Sequence, residues 1–356
     1  MADKKLELEE VRREISSSIG RLLAQLEARA RLSRRIHKLV EGTTVRRRGR
    51  EDWLAALEKT ASGELPVDDL RAIFRQVRAS ARALEQPVRV AYLGPEGGFC
   101  HATARSYFGA SGIYAECATV AEALDEVTRA RAIYAVFPYE SSSEGLLVSS
   151  IATLEETELV LVAERTLPAA YDLMSHTANM ADIEKVYATA AAHASCERFL
   201  ERELPKVGVI DVRSPVVATE LAAGDHGGAA LAPTGTGTER ELRVVRANVG
   251  DTPDVSFRYM VAGARPAIRS GKDTTCLLFS VDDTPGALFD VLRHFAERGV
   301  NLKKLQSRPV SGKGGDYVFY VEVTGHVTDR PVVTALEAVK RATKYLKVLG
   351  SFPTER

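Results

Sequence analysis

The 356-residue sequence has no run of about 18 apolar residues, no surplus of either charge, only four cysteines and a single tryptophan. The first absence removes a membrane-spanning helix. The N-terminal Met-Ala-Asp-Lys-Lys also lacks the apolar core of a secretory leader, so a cytoplasmic location and no membrane partner are expected. With Lys+Arg 48 against Asp+Glu 48, no global field recruits a polyanion. Cys100, Cys117, Cys196 and Cys276 are scattered without a Cys-x-x-Cys spacing, which indicates neither a disulfide framework nor a zinc site. Residues 5 to 41 contain no proline and one glycine, Gly20. Nothing breaks a helix there.

What is present is the composition of a soluble globular protein, 45% hydrophobic and 27% charged, in a chain long enough for two or three cores. In the proline-free stretch Leu8, Val11, Ile15, Ile19, Leu22, Leu23, Leu26, Leu32, Ile36 and Leu39 recur at three- and four-residue steps, so one long amphipathic helix is expected. At ~1.5 Å per residue it stands about 50 Å tall, too long to bury its stripe in so small a domain. A partner chain is expected. Further helices are expected over 48–61 and 66–85. Arg29, Arg31, Arg34, Arg35, Lys38, Arg46, Arg47, Arg48 and Arg50 form a basic run whose only acid is Glu41. The only aromatic close by is Trp53, which argues against single-stranded nucleic acid and leaves a solvated face or an anion pocket.

From Val88 to about Ala267 strands alternate with helices, with strand candidates at 88–93, 132–138, 159–165, 185–188, 206–212, 228–232 and 256–262. At the head of this region Val88–Leu93 reads as a strand, Gly94-Pro-Glu-Gly-Gly98 as a turn, and Phe99–Phe108 as a helix. Such a helix start can grip a carboxylate or phosphate with backbone amides. After a linker at 265–273, the order β-α-β-β-α-β describes a ferredoxin-like module.

These three segments together resemble the P-protein family of phenylalanine biosynthesis. The residues that carry the likeness are Gly94-Pro-Glu-Gly-Gly-Phe-Cys-His101, Phe137-Pro-Tyr-Glu-Ser-Ser-Ser-Glu-Gly145, Pro285-Gly-Ala-Leu288 and Gln306-Ser-Arg-Pro309. The resemblance implies a multidomain chain. An all-α, AroQ-type chorismate-mutase-like helical domain would span 1–87, and a two-lobed, periplasmic-binding-like α/β prephenate-dehydratase-like domain 88–268. A ferredoxin-like α+β ACT regulatory domain would span 272–356. It further implies conversion of chorismate to prephenate and on to phenylpyruvate, L-phenylalanine as effector, a homo-oligomer, no nucleic-acid partner, and no metal or organic cofactor.

For the mutase, Arg12 from the partner helix, Arg29, Arg50 and Glu51 match the family's substrate-binding positions. The family's catalytic lysine falls at Val40, with Lys38 roughly 180° round the helix. Glu85 replaces a glutamine that donates to the ether oxygen, which a carboxyl can do only when protonated; a rate that rises at acid pH is expected. For the dehydratase, the resemblance points to Gly97, Gly98, Cys100, Ser141 and Ser142 as substrate-binding and Glu140 and Arg258 as catalytic. The family's Thr-Arg-Phe motif reads Phe257-Arg258-Tyr259 here, so a ring replaces the hydroxyl donor. Ser256 is the candidate substitute, provided a bulge or one-residue slip brings it to the same face. A catalytically weakened or silent phenylalanine-binding homologue and a non-aromatising prephenate decarboxylase are the alternatives. Gly286, Ala287, Leu288, Gln306, Ser307, Arg308 and Pro309 match the family's effector site.

Overall fold

The computed structural model describes residues 2–40, 64–85, 88–177, 179–237, 240–252, 254–309 and 317–355. The chain divides into two compact units, Met1–Val88 with Phe108–Ile113, and Arg89–Tyr107 with Tyr114–Arg356.

In the first unit the unbroken sequence gives one helix, α1 (Ala2–Val40), of 39 residues. It packs with α2 (Val67–Glu85). Its apolar stripe, from Leu8 through Ile19 and Leu22 to Leu39, is exposed. The helix expected over 48–61 lies outside the described residues.

The second unit holds two sheets. The larger orders its strands β13-β14-β12-β15-β5-β11-β3-β1-β2, with β4 added on β3. Here β1 is Arg89–Leu93, β2 Ile113–Cys117, β3 Tyr134–Ser141, β4 Gly145–Leu146, β5 Val160–Pro168 and β11 Ser256–Gly263. Helices α3 (Phe99–Phe108), α4 (Val120–Thr128) and α5 (Val148–Glu156) belong to this lobe. The smaller sheet, β10-β6-β9-β7-β8, is a second lobe. Its strands are β6 (Tyr171–Ser175), β7 (Lys185–Ala188), β8 (Gly208–Asp211), β9 (Gly228–Pro233) and β10 (Arg243–Arg246), with helices α6 (Ala190–Ser195), α7 (Glu197–Glu203) and α8 (Pro215–Ala223).

The C-terminal module is β12 (Asp273–Ser280), α9 (Ala287–Ala296), β13 (Leu302–Pro309), β14 (Tyr317–Thr324), α10 (Arg330–Ala342) and β15 (Tyr345–Pro353). This is the expected β-α-β-β-α-β order, with β12 antiparallel to both β14 and β15. One face of its sheet packs on α9 and α10 through Leu277, Phe279, Val321 and Val323. The other, through Cys276, Leu278, Val318 and Tyr320, joins the core of Phe137, Tyr139, Leu154 and Met260. Burial on both faces is why Thr274–Phe279 reads as a run and not an alternation. The module is stitched to the first lobe where Gly350 of β15 pairs with Leu161 of β5. A Cβ at Gly350 would lie 2.2 Å from the Leu161 carbonyl oxygen, so the approach needs glycine.

Four strands escape the sequence reading: β2, β4, β6 and β10. The first and last are sheet edges that bury one side chain and none, so their apolar alternation is weak. Strand β6 carries the buried Asp172, whose carboxylate accepts the Asn248 N–H at 2.9 Å. That charge hides a strand on the interior of its sheet.

Candidate active site

The turn after β1 is held by its own amides. Gly94 N–H donates to the Cys117 carbonyl (2.9 Å) and Gly98 N–H to the Pro95 carbonyl (3.0 Å). The Gly94-Pro95 bond is cis. Gly97, at φ 78°, donates its N–H to His101 Nδ1 at 3.0 Å. The Gly97 and Gly98 amides are thus bonded inside the turn. Phe99, Cys100 and His101, in the first turn of α3, are the donors left without an intrahelical acceptor. His101 stacks on Tyr92 with ring centroids 4.8 Å apart. Burial, then the Arg105 charge, holds its pKa below the usual imidazole value. It is a neutral brace with its proton on Nε2.

From the other lobe, α8 begins with Ser214, whose Oγ accepts the Val217 N–H (3.3 Å), followed by Pro215. This helix start meets the glycine turn directly. A Cβ on Gly97 would lie 2.7 Å from Val216 Cγ2 and 3.2 Å from Thr236 Cγ2. Thr236 Oγ1 donates within hydrogen-bond reach of both the Pro233 carbonyl (2.7 Å) and the Gly97 carbonyl (3.3 Å). Phe99 meets Tyr171 edge-on at 5.1 Å. Two helix N-termini, one from each lobe, are thus brought together. Each carries roughly half a positive charge, a geometry suited to a ligand with two carboxylates.

Strand β11 runs between β3 and β5 in the larger sheet. Its register on β5 runs Ser256↔Pro168, Phe257↔Leu167, Arg258↔Thr166 without interruption. Ser256 and Arg258 therefore share one face and Phe257 takes the other. The only register shift near these residues lies on the β3 side, where Tyr139 is the extra residue between Pro138, opposite Tyr259, and Glu140, opposite Arg258. No slip carries Ser256 to the position of Phe257, and that expectation is corrected. Both backbone groups of Ser256 are bonded to Ser142: its N–H to Ser142 Oγ (3.0 Å), its carbonyl to Ser142 N–H (2.9 Å). Ser141 is buried and its Oγ bonds Ser143 Oγ at 2.8 Å.

On the Phe257 face lies Tyr259, with ring centroids 6.2 Å apart. Burial raises the Tyr259 phenol above its ordinary pKa, and nearby Cys100 and Tyr171 add to the shift. Burial likewise pushes up the Cys100 thiol. This face therefore presents neutral, protonated groups.

The opposite face holds Arg258 in a ring of carboxylates. Its Nε donates to Glu164 (2.8 Å), its two terminal nitrogens to both oxygens of Glu322 (2.5 and 3.1 Å), and one of them to Glu140 (3.2 Å). Burial opposes its charge, but the Glu322 carboxylate more than offsets this and raises its pKa. Glu140 also ion-pairs with Lys304. Arg258 and Glu140 are thus both engaged by protein groups on this face. The sequence reading missed Glu322, Lys304, Glu164 and Tyr259. The available signal was a charge inside an apolar strand, Tyr320-Val-Glu-Val323.

Of the effector residues, Gly286 (φ 89°) starts α9 without a side-chain cap, and Leu288 packs against the module's core. Ala287 is half-buried. Alternate residues of β13 face the first lobe: Lys304 reaches Glu140, Gln306 lies against Gly145, and Arg308 ion-pairs with Glu155. Ser307 is exposed, and the Pro309 ring is outside the described side chains. On α1, Arg12 and Arg29 are exposed. Arg50, Glu51 and the side chains of Lys38, Val40 and Glu85 lie outside the described residues. Among the described residues no cluster of three or more metal-ligating side chains occurs, and no helix is long and apolar enough to cross a membrane.

A family model described as prephenate dehydratase matches residues 90–267, and one described as ACT domain matches 276–341. The chain is 35% identical over 354 residues to the bifunctional chorismate mutase/prephenate dehydratase of Aquifex aeolicus, covering 98% of each. It is 30% identical over 362 residues to the protein of that name from Pseudomonas aeruginosa, covering 99% of each. Among solved structures, prephenate dehydratase in complex with L-Phe from Arthrobacter aurescens aligns with a TM-score of 0.62 at 29% identity, over 75% of this chain and 90% of that one. Full-length identity at this level, on a two-lobed α/β domain followed by an ACT module, places the chain in the bifunctional chorismate mutase/prephenate dehydratase family.

Proposed function

We propose that this protein rearranges chorismate to prephenate in its helical domain, converts prephenate to phenylpyruvate in its two-lobed domain, and responds to L-phenylalanine through its ACT module. We assign the boundaries 1–87, 88–268 and 272–356 to these parts. The observation that carries the dehydratase reading is the pairing of the α3 and α8 N-termini at Gly97 and Val216. Prephenate bears two carboxylates, and each helix start supplies backbone amides and a positive end for one of them.

The chemistry is a decarboxylative elimination. The ring C–CO2⁻ bond breaks, its electron pair aromatises the ring, and the 4-hydroxyl leaves with a proton as water. Phe257 cannot supply that proton. Tyr259 on its face, with Cys100 Sγ–H and the Tyr171 phenol near Tyr259, all kept protonated by burial, are the donors we assign to the leaving oxygen. Arg258 and Glu140 act from behind the strand.

In the mutase part, Arg12, Arg29, Arg50 and Glu51 bind the dicarboxylate and protonated Glu85 donates to the breaking ether bond. The exposed stripe of α1 calls for a second copy of the chain, which brings Arg12 to its partner's site. The L-phenylalanine carboxylate sits at the start of α9, across from Gln306–Pro309. The reactions need no cofactor, and the substrates are those of the cytoplasm.

The test is to supply chorismate and then prephenate to the purified protein and identify products by mass. Phenylpyruvate is expected. Phe257→Thr is expected to raise kcat on prephenate by about 10²-fold, the low end of what a positioned acid contributes. Retention of the hydroxyl in the product, or unchanged prephenate, overturns the dehydratase reading.

A further inference from the structure

We infer that the ACT module supplies two positioning residues, Glu322 and Lys304, to the dehydratase site; the assignment rests on the reading of that site given above. Strand β11 carries Phe257 on the face opposite Arg258, and β3 leads through Glu140 into Ser141 and Ser142. Between these strands the ladder is interrupted at Tyr139, directly beside Arg258 and Glu140. A bulge leaves one residue unpaired and bends its strand, so side chains must fix what the backbone ladder does not.

Those side chains come from the regulatory module. Glu322 grips Arg258 with both oxygens, a planar two-point contact that sets the guanidinium's orientation as well as its position. It is 3% exposed and is itself held by the Tyr320 hydroxyl at 2.6 Å. Lys304, on β13, holds the Glu140 oxygen that Arg258 does not use. One contact therefore fixes the residue next to Phe257, and the other fixes the residue next to Ser141. Glu322 and Lys304 bond Arg258 and Glu140 on the side of β11 away from Phe257, so both act through those two residues. Lys347 provides the contrast. It ties the module to the end of α5 by donating to the Glu155 (2.9 Å) and Thr157 (2.5 Å) carbonyls, and touches neither β3 nor β11.

The experiment uses the full chain and measures prephenate turnover, prephenate affinity by calorimetry, and the unfolding midpoint. Glu322→Gln is expected to lower kcat roughly tenfold with KM changed less than about twofold, because displacement of less than 1 Å away from the chemistry is costly. Glu322→Asp, which keeps the charge, recovers part of the loss. Lys304→Met gives a smaller fall of the same kind and Lys304→Arg restores it. Lys347→Met lowers the midpoint and leaves kcat unchanged. Parental kcat in folded Glu322→Gln and Lys304→Met overturns the inference, as does an equal loss in Lys347→Met, which would mean docking alone. If Glu322→Gln does not fold, the Lys304 pair decides. A parent that binds prephenate without turnover refutes the dehydratase reading and, with it, the kcat effect that the inference predicts. A parent that does not bind prephenate removes both.

Discussion

Helix α1 and strand β12 are both rich in apolar residues, yet their fates are opposite. Along α1 ten large apolar side chains remain exposed, from Leu8 at 50% to Leu39 at 68%. In β12 Asp273 through Phe279 are all buried, with helices on one side and the first lobe on the other. Among the described residues, the second unit buries its apolar faces and the first leaves its stripe exposed. An amphipathic helix of this length gains stability only by covering its stripe, at ~1.5–3 kcal/mol per fully buried Leu or Ile. The open stripe is the surface that the proposed second copy of the chain would cover.

The contrast breaks most severely if the stripe is charged. Ile19→Lys with Leu22→Lys should weaken self-association more than ~10²-fold, read by sedimentation velocity, and abolish mutase turnover while prephenate turnover survives. A variant that keeps both its assembly and its mutase activity would show that the stripe is not what joins the chains.

The self-sufficiency of the second unit is probed at its narrowest point. Gly350→Val puts a Cβ into the Leu161 backbone and should cost roughly 3 kcal/mol, visible as a lower melting temperature, with helical signal from the first unit retained. An unchanged melting temperature would mean that β15 docks on β5 more loosely than the geometry requires.

The smallest effect is one of pH. Burial alone would raise the Glu322 pKa, but its bonds to Arg258 lower it below the usual carboxylate value. A depressed carboxylate contributes stability that is fully present above the unfolded pKa, about 4.3, and is lost as pH falls through the folded value. Denaturant titrations should therefore show a loss below about pH 4 that is smaller in Glu322→Gln than in the parent. Equal acid sensitivity in the two proteins would remove Glu322 from that account.

What the sequence made legible followed from periodicity and from glycine and proline. The length of α1, the strand-turn-helix at Gly94, and the β-α-β-β-α-β module are all local patterns. Faces were less legible than elements. That Phe257 and Ser256 point apart follows from strand alternation, but the partner-side bulge at Tyr139 and the closing of Gly97 onto Val216 depend on residues far apart in the chain. The ring around Arg258 draws Glu140, Glu164 and Glu322 from three strands widely separated in the sequence, and no spacing rule connects them.

The Gly350–Leu161 pairing makes β15 the neighbour that covers the flank of β5, where a flexible tether would otherwise have been enough to join a sensor to an enzyme. Cutting the chain near residue 270 would strip that flank, together with the apolar surface around Tyr139 and Leu154, and offer both to whatever strand came near. An evolutionary or laboratory attempt to free this dehydratase from its sensor must therefore redesign a sheet boundary and cannot simply sever a linker.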